Sequence, residues 1–324
     1  MTEWTIGPDE AGLRLDLWLA RRPDAGSRGR ARTWLERGKV FVNGEAVAGH
    51  DAGRPLVAGD RVGLWMDRPG TSHPRRREIA AARLALSVVL EDADLIVADK
   101  PAGLLVEPLP GQASGEVTLI DLVADHLRAR VRTRPLVVHR IDRDTSGLVL
   151  FALNRDAQKA LKAQFEVRTP ERVYLAIVRG TVAPAAGTWR DRLAWDKDRL
   201  IQKRAHVAEA AGKQAVAKYK VVEQYEGAAQ IEVALVTGKR NQIRVQAGLR
   251  GFPLVGERLY TFGASPQPRG EPTLERQALH AARLSFIHPS TGRRVTVTAP
   301  MPHDMTQLIA AWKRRAKRRG AGGV

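Results

Sequence analysis

The chain has 324 residues, enough for one large domain and a small one, and carries a formal net charge of +18 at pH 7 with a pI near 10.9. This excess of Lys and Arg indicates a polyanionic partner, with nucleic acid favoured over an anionic membrane surface. Because the chain has no cysteine, disulfides, thiolate zinc sites and thiol catalysis are excluded.

Several other motif classes are missing from the sequence. No apolar run reaches the length of a transmembrane helix, and residues 1–5 lack a basic region followed by an apolar one, so we expect a cytoplasmic protein without membrane contact. The histidines show no His-x-x-x-His spacing, and neither a Gly-rich loop ending in Lys-Ser/Thr nor a Gly-x-Gly-x-x-Gly turn is present. The sequence therefore predicts no metal and no cofactor.

Residues 12–67 are predicted to form a small α/β module. Its first helix is marked by apolar residues at i, i+3 and i+4, namely Leu15, Trp18 and Leu19. A second helix over residues 28–37 is expected to end at Gly38, which permits a left-handed cap. Residues 40–42 then run as a strand into Asn43-Gly44, a strong hairpin signal, and residues 60–65 supply a further strand.

The motifs of this module follow one another in a familiar order: Arg-Leu-Asp-x-x-Leu, Ser-Arg-x-x-Ala, Gly-Lys-Val-x-Val-Asn-Gly and Ala-Gly-Asp-x-Val. The order resembles the S4 RNA-binding domain over nearly its whole length. Basic residues decorate the second helix and its exit almost without acids between them. We predict contacts to RNA phosphates from Arg28, Arg30, Arg32 and Lys39.

The rest of the chain divides by composition. Residues 68–83 contain Pro, Gly, Ser and a run of three arginines, which predicts a flexible basic linker. Residues 84–312 are predicted to form the large domain, with strands and helices in mixed order. Residues 313–324 are predicted to be a basic C-terminal tail, which either grips RNA or is simply solvated.

The most informative segment of the large domain is His-Arg-Ile-Asp-Arg-Asp-Thr-Ser-Gly at residues 139–147. It lies between two short apolar strand candidates, residues 136–138 and 148–151, so a charged turn would hold Asp142 on a rigid scaffold. The same residues also suit an ordinary hairpin turn, so that the interpretation depends on context.

That context is a set of further ordered blocks. They are residues 89–106 with Lys-Pro-x-Gly, 172–180 with a Tyr on an alternating strand, 237–260 with Gln-Ile-Arg, and 279–292. Together with residues 139–147 they resemble the RluA-type pseudouridine synthases, which isomerise uridine in RNA to its C-glycoside. The resemblance implies an α+β catalytic domain around a mixed, mostly antiparallel sheet, and a reaction that needs no cofactor.

The resemblance also implies roles for individual residues. Asp142 matches the catalytic carboxylate, Tyr174 lies beside the target base, where it stacks or acts as a base, and Arg244 is the cation paired with Asp142. Arg140 is the expected wedge that replaces an everted nucleotide in its stack. His139 either assists it or only shapes the turn.

The block near Arg244 departs from the family pattern. Lys239 replaces Arg, Asn241 and Gln246 replace His, and Glu257 replaces Asp. We expect these differences to affect RNA contacts more than chemistry. The residues of this block predicted to contact RNA are Lys239, Arg240, Asn241 and Gln242.

Alternatives remain at this point. Large-subunit (23S-type) ribosomal RNA is favoured as the substrate by analogy, with transfer RNA second. A non-catalytic RNA-binding or ribosome-associated protein and a hydrolase that releases uracil are the competing functions. Attack of the carboxylate on C1′ and a route through C2′ deprotonation to a glycal are both compatible with the sequence. The oligomeric state is open, with a monomer as the default expectation.

Overall fold

The computed structural model describes residues 2–23, 25, 27–47, 51–66, 68, 86–108, 117–128, 134–197, 199, 201–206, 209–264, 268 and 270–321. The chain divides into two compact units. The smaller unit holds the described residues among 1–85 and 195–201, and the larger unit holds the other described residues. The linker predicted at residues 68–83 lies, apart from Arg68, outside the described residues.

The smaller unit packs two helices on a twisted sheet. Its elements are β1 (Thr2–Thr5), a 3₁₀ turn (Pro8–Glu10), α1 (Leu15–Ala20), α2 (Arg28–Glu36), β2 (Val40–Val42), β3 (Glu45–Ala46) and β4 (Arg61–Leu64). The strand order is β1-β4-β2-β3. Strand β1 pairs antiparallel with β4 and precedes residue 12, where we placed the start of the module.

Local signals in this unit include two that the sequence predicted, Gly38 and Asn43-Gly44, and one that it did not, Ser27. The Ser27 hydroxyl accepts the Arg30 N–H at 3.3 Å and so caps the start of α2. Gly38, with φ 66°, ends the helix in the left-handed region. Asn43 and Gly44 have φ 53° and 83°, as the two central residues of the predicted hairpin turn require.

The larger unit is built around a long sheet. Its strands are β5 (Ser87–Glu91), β6 (Leu95–Lys100), β7 (Leu136–Val137), β8 (Ser146–Ala152), β9 (Glu171–Arg179), β10 (Ala186–Asp196), β11 (Ile201–Arg204), β12 (Lys213–Tyr225), β13 (Ala228–Leu235), β14 (Leu279–Ile287) and β15 (Arg294–Thr298). Its helices are α3 (Leu119–Leu127), α4 (Arg155–Glu166), α5 (Gln242–Gly248) and α6 (His303–Ala321).

The strand order is β11-β10-β12-β13-β9-β14-β8-β6-β5, with β15 beside β14 and β7 beside β8. The pair β14·β8 is parallel. The antiparallel pairs are β10·β12, β12·β13, β13·β9, β14·β9, β6·β8, β5·β6, β14·β15 and β7·β8. The predicted α+β class with a mixed, mostly antiparallel sheet is thereby confirmed. The parallel pair joins residues distant in sequence and brings β14 against the first residues of β8.

The central strands β6 and β8 are apolar on both faces because each face is covered. Alternate residues Leu95, Val97, Leu148 and Leu150 join one core cluster, which includes residues of α4. The intervening residues Ile96, Ala98, Val149 and Phe151 join another, which includes residues of α3. A strand buried on both faces reads as a continuous apolar run, which explains the uninterrupted Leu-Val-Leu-Phe segment of β8.

Strand β9 shows the alternation that the sequence indicated. Tyr174, Ala176 and Val178 lie in one cluster with Ile243 and Ala247 of α5. This packing holds α5 on the face of β9 that carries Tyr174.

Residues 313–321 of the predicted basic tail are helical, and residues 322–324 lie outside the described residues. Helix α6 buries Met305, Leu308 and Trp312 against Tyr225 and neighbouring residues, and it continues to Ala321. Residues 313–321, predicted as a tail, thus extend a packed helix. None of the helices in the described part of the chain is long and apolar enough to cross a membrane.

Candidate active site

Asp142 lies in the turn between β7 and β8, with 29% of its side chain exposed. The N–H of Thr145 donates to the Asp142 carbonyl at 3.2 Å and closes the turn. The next carbonyl, that of Arg143, accepts the N–H of Gly103 at 3.0 Å. The Lys-Pro-x-Gly block and the Asp142 turn are therefore hydrogen-bonded neighbours, although about forty residues separate them.

Lys100 holds the Asp142 turn through hydrogen bonds from its side chain. Its buried ammonium donates to the carbonyls of Pro101, Leu104 and Arg143 at 2.8, 2.8 and 2.7 Å. Burial lowers the pKa of Lys100 to about 7, while the negative charges of Asp144 and Asp142 act in the opposite direction. Each of the three carbonyl oxygens accepts one N–H group, and the charged ammonium of Lys100 has three. All three hydrogen bonds therefore form when Lys100 is charged.

Two contacts with β14 fix the far end of the turn. The backbone of Gly147, with φ 110°, passes so close to Ala281 that a Cβ would lie 2.3 Å from the Ala281 carbonyl oxygen. The Ser146 hydroxyl is 3.0 Å from Nδ1 of the buried His280. Close packing against β14 therefore requires Ser146 and Gly147 of the motif. The same packing fixes the position of the turn that carries Asp142.

Arg244, on the first turns of α5, supplies the positive charge beside Asp142. Its Nε and Nη2 donate to the two carboxylate oxygens of Glu257, both at 2.7 Å. Its Nη1 lies 3.7 Å from Oδ2 of Asp142. Glu257 in turn accepts the N–H of Leu259 at 2.9 Å and that of Arg258 at 3.1 Å. The guanidinium is thus held by Glu257 and points its remaining edge towards Asp142.

The charges of this group act on one another. Burial raises the pKa of Asp142, the nearby Arg244 and Arg240 lower it, and the negative charge of Glu257 raises it again. For Glu257, the Arg244 guanidinium overcomes burial and holds the pKa of the carboxyl below its usual range. The cluster therefore contains one guanidinium shared by two carboxylates, with Glu257 holding the larger share.

Asn241 precedes α5 and contacts Asp142 directly. Its amide atoms lie 2.9 and 3.0 Å from the two oxygens of Asp142 on one side, and 2.7 Å from the hydroxyl of Tyr260 on the other. A carboxylate can only accept, so the amide nitrogen faces Asp142 and the amide oxygen faces Tyr260. We predicted an RNA contact for Asn241, but its side chain is committed to Asp142.

Tyr174 is nearly buried on β9. Burial raises the pKa of its phenol, Arg172 acts against this, and the negative charge of Asp142 adds to it. The phenol therefore keeps its proton at neutral pH. This favours stacking or hydrogen-bond donation over the role of a base.

Three residues predicted to contact RNA are used inside the protein. Gln242 is buried and accepts from the Thr237 hydroxyl at 2.7 Å and the Lys239 N–H at 2.9 Å. Lys39 is buried and donates to the carbonyl of Met66. His139 stacks on Phe165 at 4.8 Å and accepts the N–H of Leu150 at 3.1 Å.

The pKa of His139 is lowered to about 3, chiefly by burial, so the ring is neutral. The interpretation in which His139 shapes the turn is the one that its contacts favour. In all three residues the polar atoms satisfy backbone or buried groups, and sequence patterns do not distinguish such a use from a surface contact.

The other predicted RNA contacts lie nearer the surface. Arg140 is exposed and pairs with Glu107 at 2.9 Å. Arg30 and Arg240 are exposed, whereas Arg32 and Lys239 are half-buried. Arg28 donates to the fully buried Asp16 at 3.0 Å, so part of its charge is used within the smaller unit.

Among the residues that the structure describes, one group offers three close ligand atoms for a metal: Asp92, Asp94 and His288. Nδ1 of His288 accepts the backbone N–H groups of Ser290 and Thr291, both at 3.2 Å. Nε2 therefore carries the proton and donates to Asp92 at 2.9 Å. Both ring nitrogens of His288 therefore form hydrogen bonds within the protein, and these contacts give the ring a structural role in capping the turn.

Sequence reasoning gave no role to Lys100, Glu257 or Tyr260, although each lay in a quoted block. The sequence did contain a signal for Glu257, because this acidic residue directly follows Gly256 and lies thirteen residues after Arg244. Their roles depend on contacts between segments that the chain brings together only on folding.

Substitution of Glu257 by Gln tests the electrostatics of the cluster. Removing the negative charge should lower the pKa of Asp142, because that charge raises it. The acid limb of the pH–rate profile should therefore move to lower pH, and the maximal rate should fall by roughly 10-fold, since Arg244 loses a charged bidentate partner. Single-turnover rates across the acid range measure both effects, and an acid limb that stays in place would contradict the coupling.

Comparison with known proteins identifies the class of protein to which this chain belongs. Residues 94–248 match the family model for RNA pseudouridylate synthases, and residues 13–62 match the model for the S4 domain. The human protein RNA Pseudouridylate Synthase Domain Containing 4 shares the fold, with a TM-score of 0.59 at 19% identity over 70% of this chain and 93% of that chain.

Two curated relatives cover almost the whole chain. The uncharacterized RNA pseudouridine synthase YlyB of Bacillus subtilis (strain 168) is 34% identical over 309 residues, which is 94% of this chain and 96% of the relative. Ribosomal large subunit pseudouridine synthase D of Neisseria meningitidis serogroup A is 34% identical over 321 residues, 96% of this chain and 82% of the relative.

The chain therefore belongs to the RNA pseudouridine synthase family, carries an S4 domain at its N-terminus, and is an isomerase that converts uridine in RNA to pseudouridine. The resemblance to the RluA-type synthases is confirmed, and RNA is the partner that the basic composition indicated.

Proposed function

We propose that the substrate of this enzyme is large-subunit ribosomal RNA and that Asp142 is its catalytic carboxylate. The proposed role of Asp142 is supported by its position. It lies on a turn held by hydrogen bonds, its side chain is partly exposed, and it is 3.7 Å from the buried guanidinium of Arg244. The choice of RNA is supported by the relatives named ribosomal large subunit pseudouridine synthase D, which align along nearly the whole chain. Such a substrate implies action in the cytoplasm.

The chemistry requires an ionised carboxylate near the ribose. Pseudouridine formation breaks the N1–C1′ bond, turns the uracil and rejoins it through C5, with no atoms added apart from exchanged protons. A carboxylate serves in either of two routes, by attacking C1′ or by assisting removal of the C2′ proton. At about 4 Å and an effective dielectric near 20, a guanidinium stabilises the carboxylate by roughly 4 kcal/mol before desolvation is counted.

Tyr174 is proposed to hold the base. Its protonated phenol lies within electrostatic reach of Asp142 and presents an aromatic face and one donor. Both suit a uracil that has left its stack, because stacking supports a base of any orientation while the bond to the sugar is broken.

Arg140 is proposed to fill the gap that the target nucleotide leaves. Eversion costs a few kcal/mol when the base is paired and much less when it is already unstacked. We expect Arg140→Ala to lose about 10-fold more activity on a structured RNA than on one with an unstacked target. Arg134→Ala is the matched control, because Arg134 is also an exposed arginine, 3.4 Å from an acidic partner, Asp121. Equal losses on the two RNAs would exclude the wedge role.

Substrate choice is tested with purified enzyme on transcripts of large-subunit ribosomal RNA and of transfer RNA. Tritium release from 5-labelled uridine measures the reaction, and we expect it from ribosomal RNA alone. Release from transfer RNA alone would overturn the proposed substrate, and free uracil in the products would indicate hydrolysis. Light scattering during the same preparation gives the mass, for which we propose a monomer.

A further inference from the structure

Asn241 occupies an unusual backbone position directly before α5. Its φ and ψ are 53° and 23°, in the left-handed region, where Asn and Asp are among the few residues tolerated besides Gly. This conformation turns the chain so that α5 begins with Gln242, and it aims the Asn241 amide at Asp142. The position therefore selects for a short polar side chain, and that side chain reaches the carboxylate.

The orientation of this amide is fixed from behind by Tyr260. The Tyr260 side chain is fully buried, and its hydroxyl oxygen accepts the backbone N–H of Gln202 at 3.1 Å. The hydroxyl proton is then free to point at the amide oxygen of Asn241, 2.7 Å away. A continuous set of hydrogen bonds thus runs from the backbone of β11 through Tyr260 and Asn241 to Asp142.

Arg244 and Asn241 contribute different things to Asp142. The guanidinium gives its close hydrogen bonds to Glu257, and its nearest atom to Asp142 is 3.7 Å away, beyond ordinary hydrogen-bond distance. The amide nitrogen of Asn241 lies 2.9 and 3.0 Å from both oxygens. Arg244 therefore supplies charge, and Asn241 supplies the directional contact.

We propose that Asn241 is a positioning residue for pseudouridine formation: its amide orients the Asp142 carboxylate before the target nucleotide arrives, and Tyr260 locks the amide. The proposal rests on the catalytic role proposed for Asp142. Since an amide does not titrate, this contact is the same at every pH, whereas a histidine at this place would change charge near neutrality.

The decisive variant is Asn241→Asp, which keeps the size and the left-handed preference but replaces the donor by a carboxylate. When both carboxylates are ionised they repel, and the hydrogen bond is lost. When one proton is shared between them, a donor is restored. We expect kcat to fall about 100-fold on the alkaline side of neutrality, the usual cost of one positioned donor, with the deficit shrinking as the pH is lowered. KM for RNA should stay within about twofold, because the contact is not to RNA.

Asn43→Asp is a closely matched control. Asn43 also has φ 53°, and its amide also donates to a carboxylate, that of Asp60 at 2.8 Å, in the smaller unit. Its variant creates the same kind of carboxylate pair with Asp60 instead of Asp142, so the shape of the pH–kcat profile should match the wild type. Asn241→Gly keeps the backbone conformation without a side chain, and its kcat deficit should be independent of pH. Tyr260→Phe should lower kcat by less than Asn241→Gly at an unchanged KM.

The outcomes separate this proposal from the one on which it rests. If Asp142→Asn is inactive but Asn241→Asp retains full kcat, or loses it equally at all pH values, the positioning role is overturned and the catalytic role of Asp142 stands. If Asp142→Asn is active, both fall. Should Asn241→Asp fail to fold, Asn241→Gly decides, because an unchanged kcat in that variant also overturns the proposal.

Discussion

Replacement of Asp142 by Asn is expected to abolish pseudouridine formation while RNA binding persists. The variant keeps the shape of the side chain but removes the charge that we propose acts on the ribose, and loss of such a catalytic group lowers the rate on the order of 10⁴-fold or more. Tritium release from 5-labelled uridine measures activity, and filter binding measures affinity for the same RNA.

The same variant is expected to be at least as stable as the wild type. The folded-state pKa of Asp142 is raised, so between the unfolded value and the folded value the folded chain binds more protons than the unfolded chain. The free energy of unfolding therefore falls as the pH rises through this window, and at neutral pH the ionised carboxylate costs stability. Asn removes that cost, which thermal unfolding at neutral pH measures.

Asp144→Asn is the matched control for this experiment, because it neutralises a second carboxylate of the same turn. We expect it to retain activity within roughly 10-fold, because Asp144 lies in the turn itself, where Asp is a common residue. Full activity of Asp142→Asn, or equal loss in the two variants, would contradict the assignment of the reaction to Asp142.

Substitution of Gly147 by Ala is expected to be strongly destabilising. The new Cβ would lie 2.3 Å from the carbonyl oxygen and 2.6 Å from the nitrogen of Ala281, which are backbone atoms of the central sheet. The φ of 110° adds backbone strain. Neither part can yield without separating β8 from β14, so we expect a loss of roughly 4 kcal/mol or more in unfolding free energy.

Gly292→Ala isolates the backbone contribution. Gly292 has φ 68° but meets no atom within 4 Å of the added Cβ, so only the left-handed conformation is penalised, at about 1–2 kcal/mol. Urea unfolding of the two variants measures the difference. Similar losses would mean that the contact with Ala281 relaxes, and that the turn bearing Asp142 is less constrained than its packing indicates.

The sequence predicted much of the local structure because local chemistry decides it. The cap at Gly38, the hairpin at Asn43-Gly44 and the alternating face of β9 each follow from conformational preference or periodicity. Strand β1 was not predicted, because its four residues are mostly exposed and carry no apolar alternation. The helical form of residues 313–321 was not predicted either, since the buried apolar residues of α6 begin eight residues before the predicted tail, with Met305 and Leu308.

The sequence predicted which residues lie close together, whereas the contacts of their side chains within the protein came only from the structure. The motifs identified Asp142 and Arg244, and the structure brings them to 3.7 Å. Gln242 and Lys39, predicted to contact RNA, satisfy buried groups instead. A polar residue in a motif has the same identity whether it faces solvent or a buried carbonyl, and only the completed fold decides which partner it meets.

By itself, the sequence predicted the family, the two-part organisation, the type of sheet and the position of Asp142 in a turn between two strands, because ordered motifs and residue preferences act over short distances. Tertiary structure alone decided how that carboxylate is held. The residues that hold it come from three segments: Lys100, Asn241, and the pair Glu257 and Tyr260. Their hydrogen bonds to the turn, to Arg244 and to one another form only when β8, β14 and α5 pack together. Burial and long-range strand pairing determine these hydrogen-bond partners, and neither can be inferred from the local sequence.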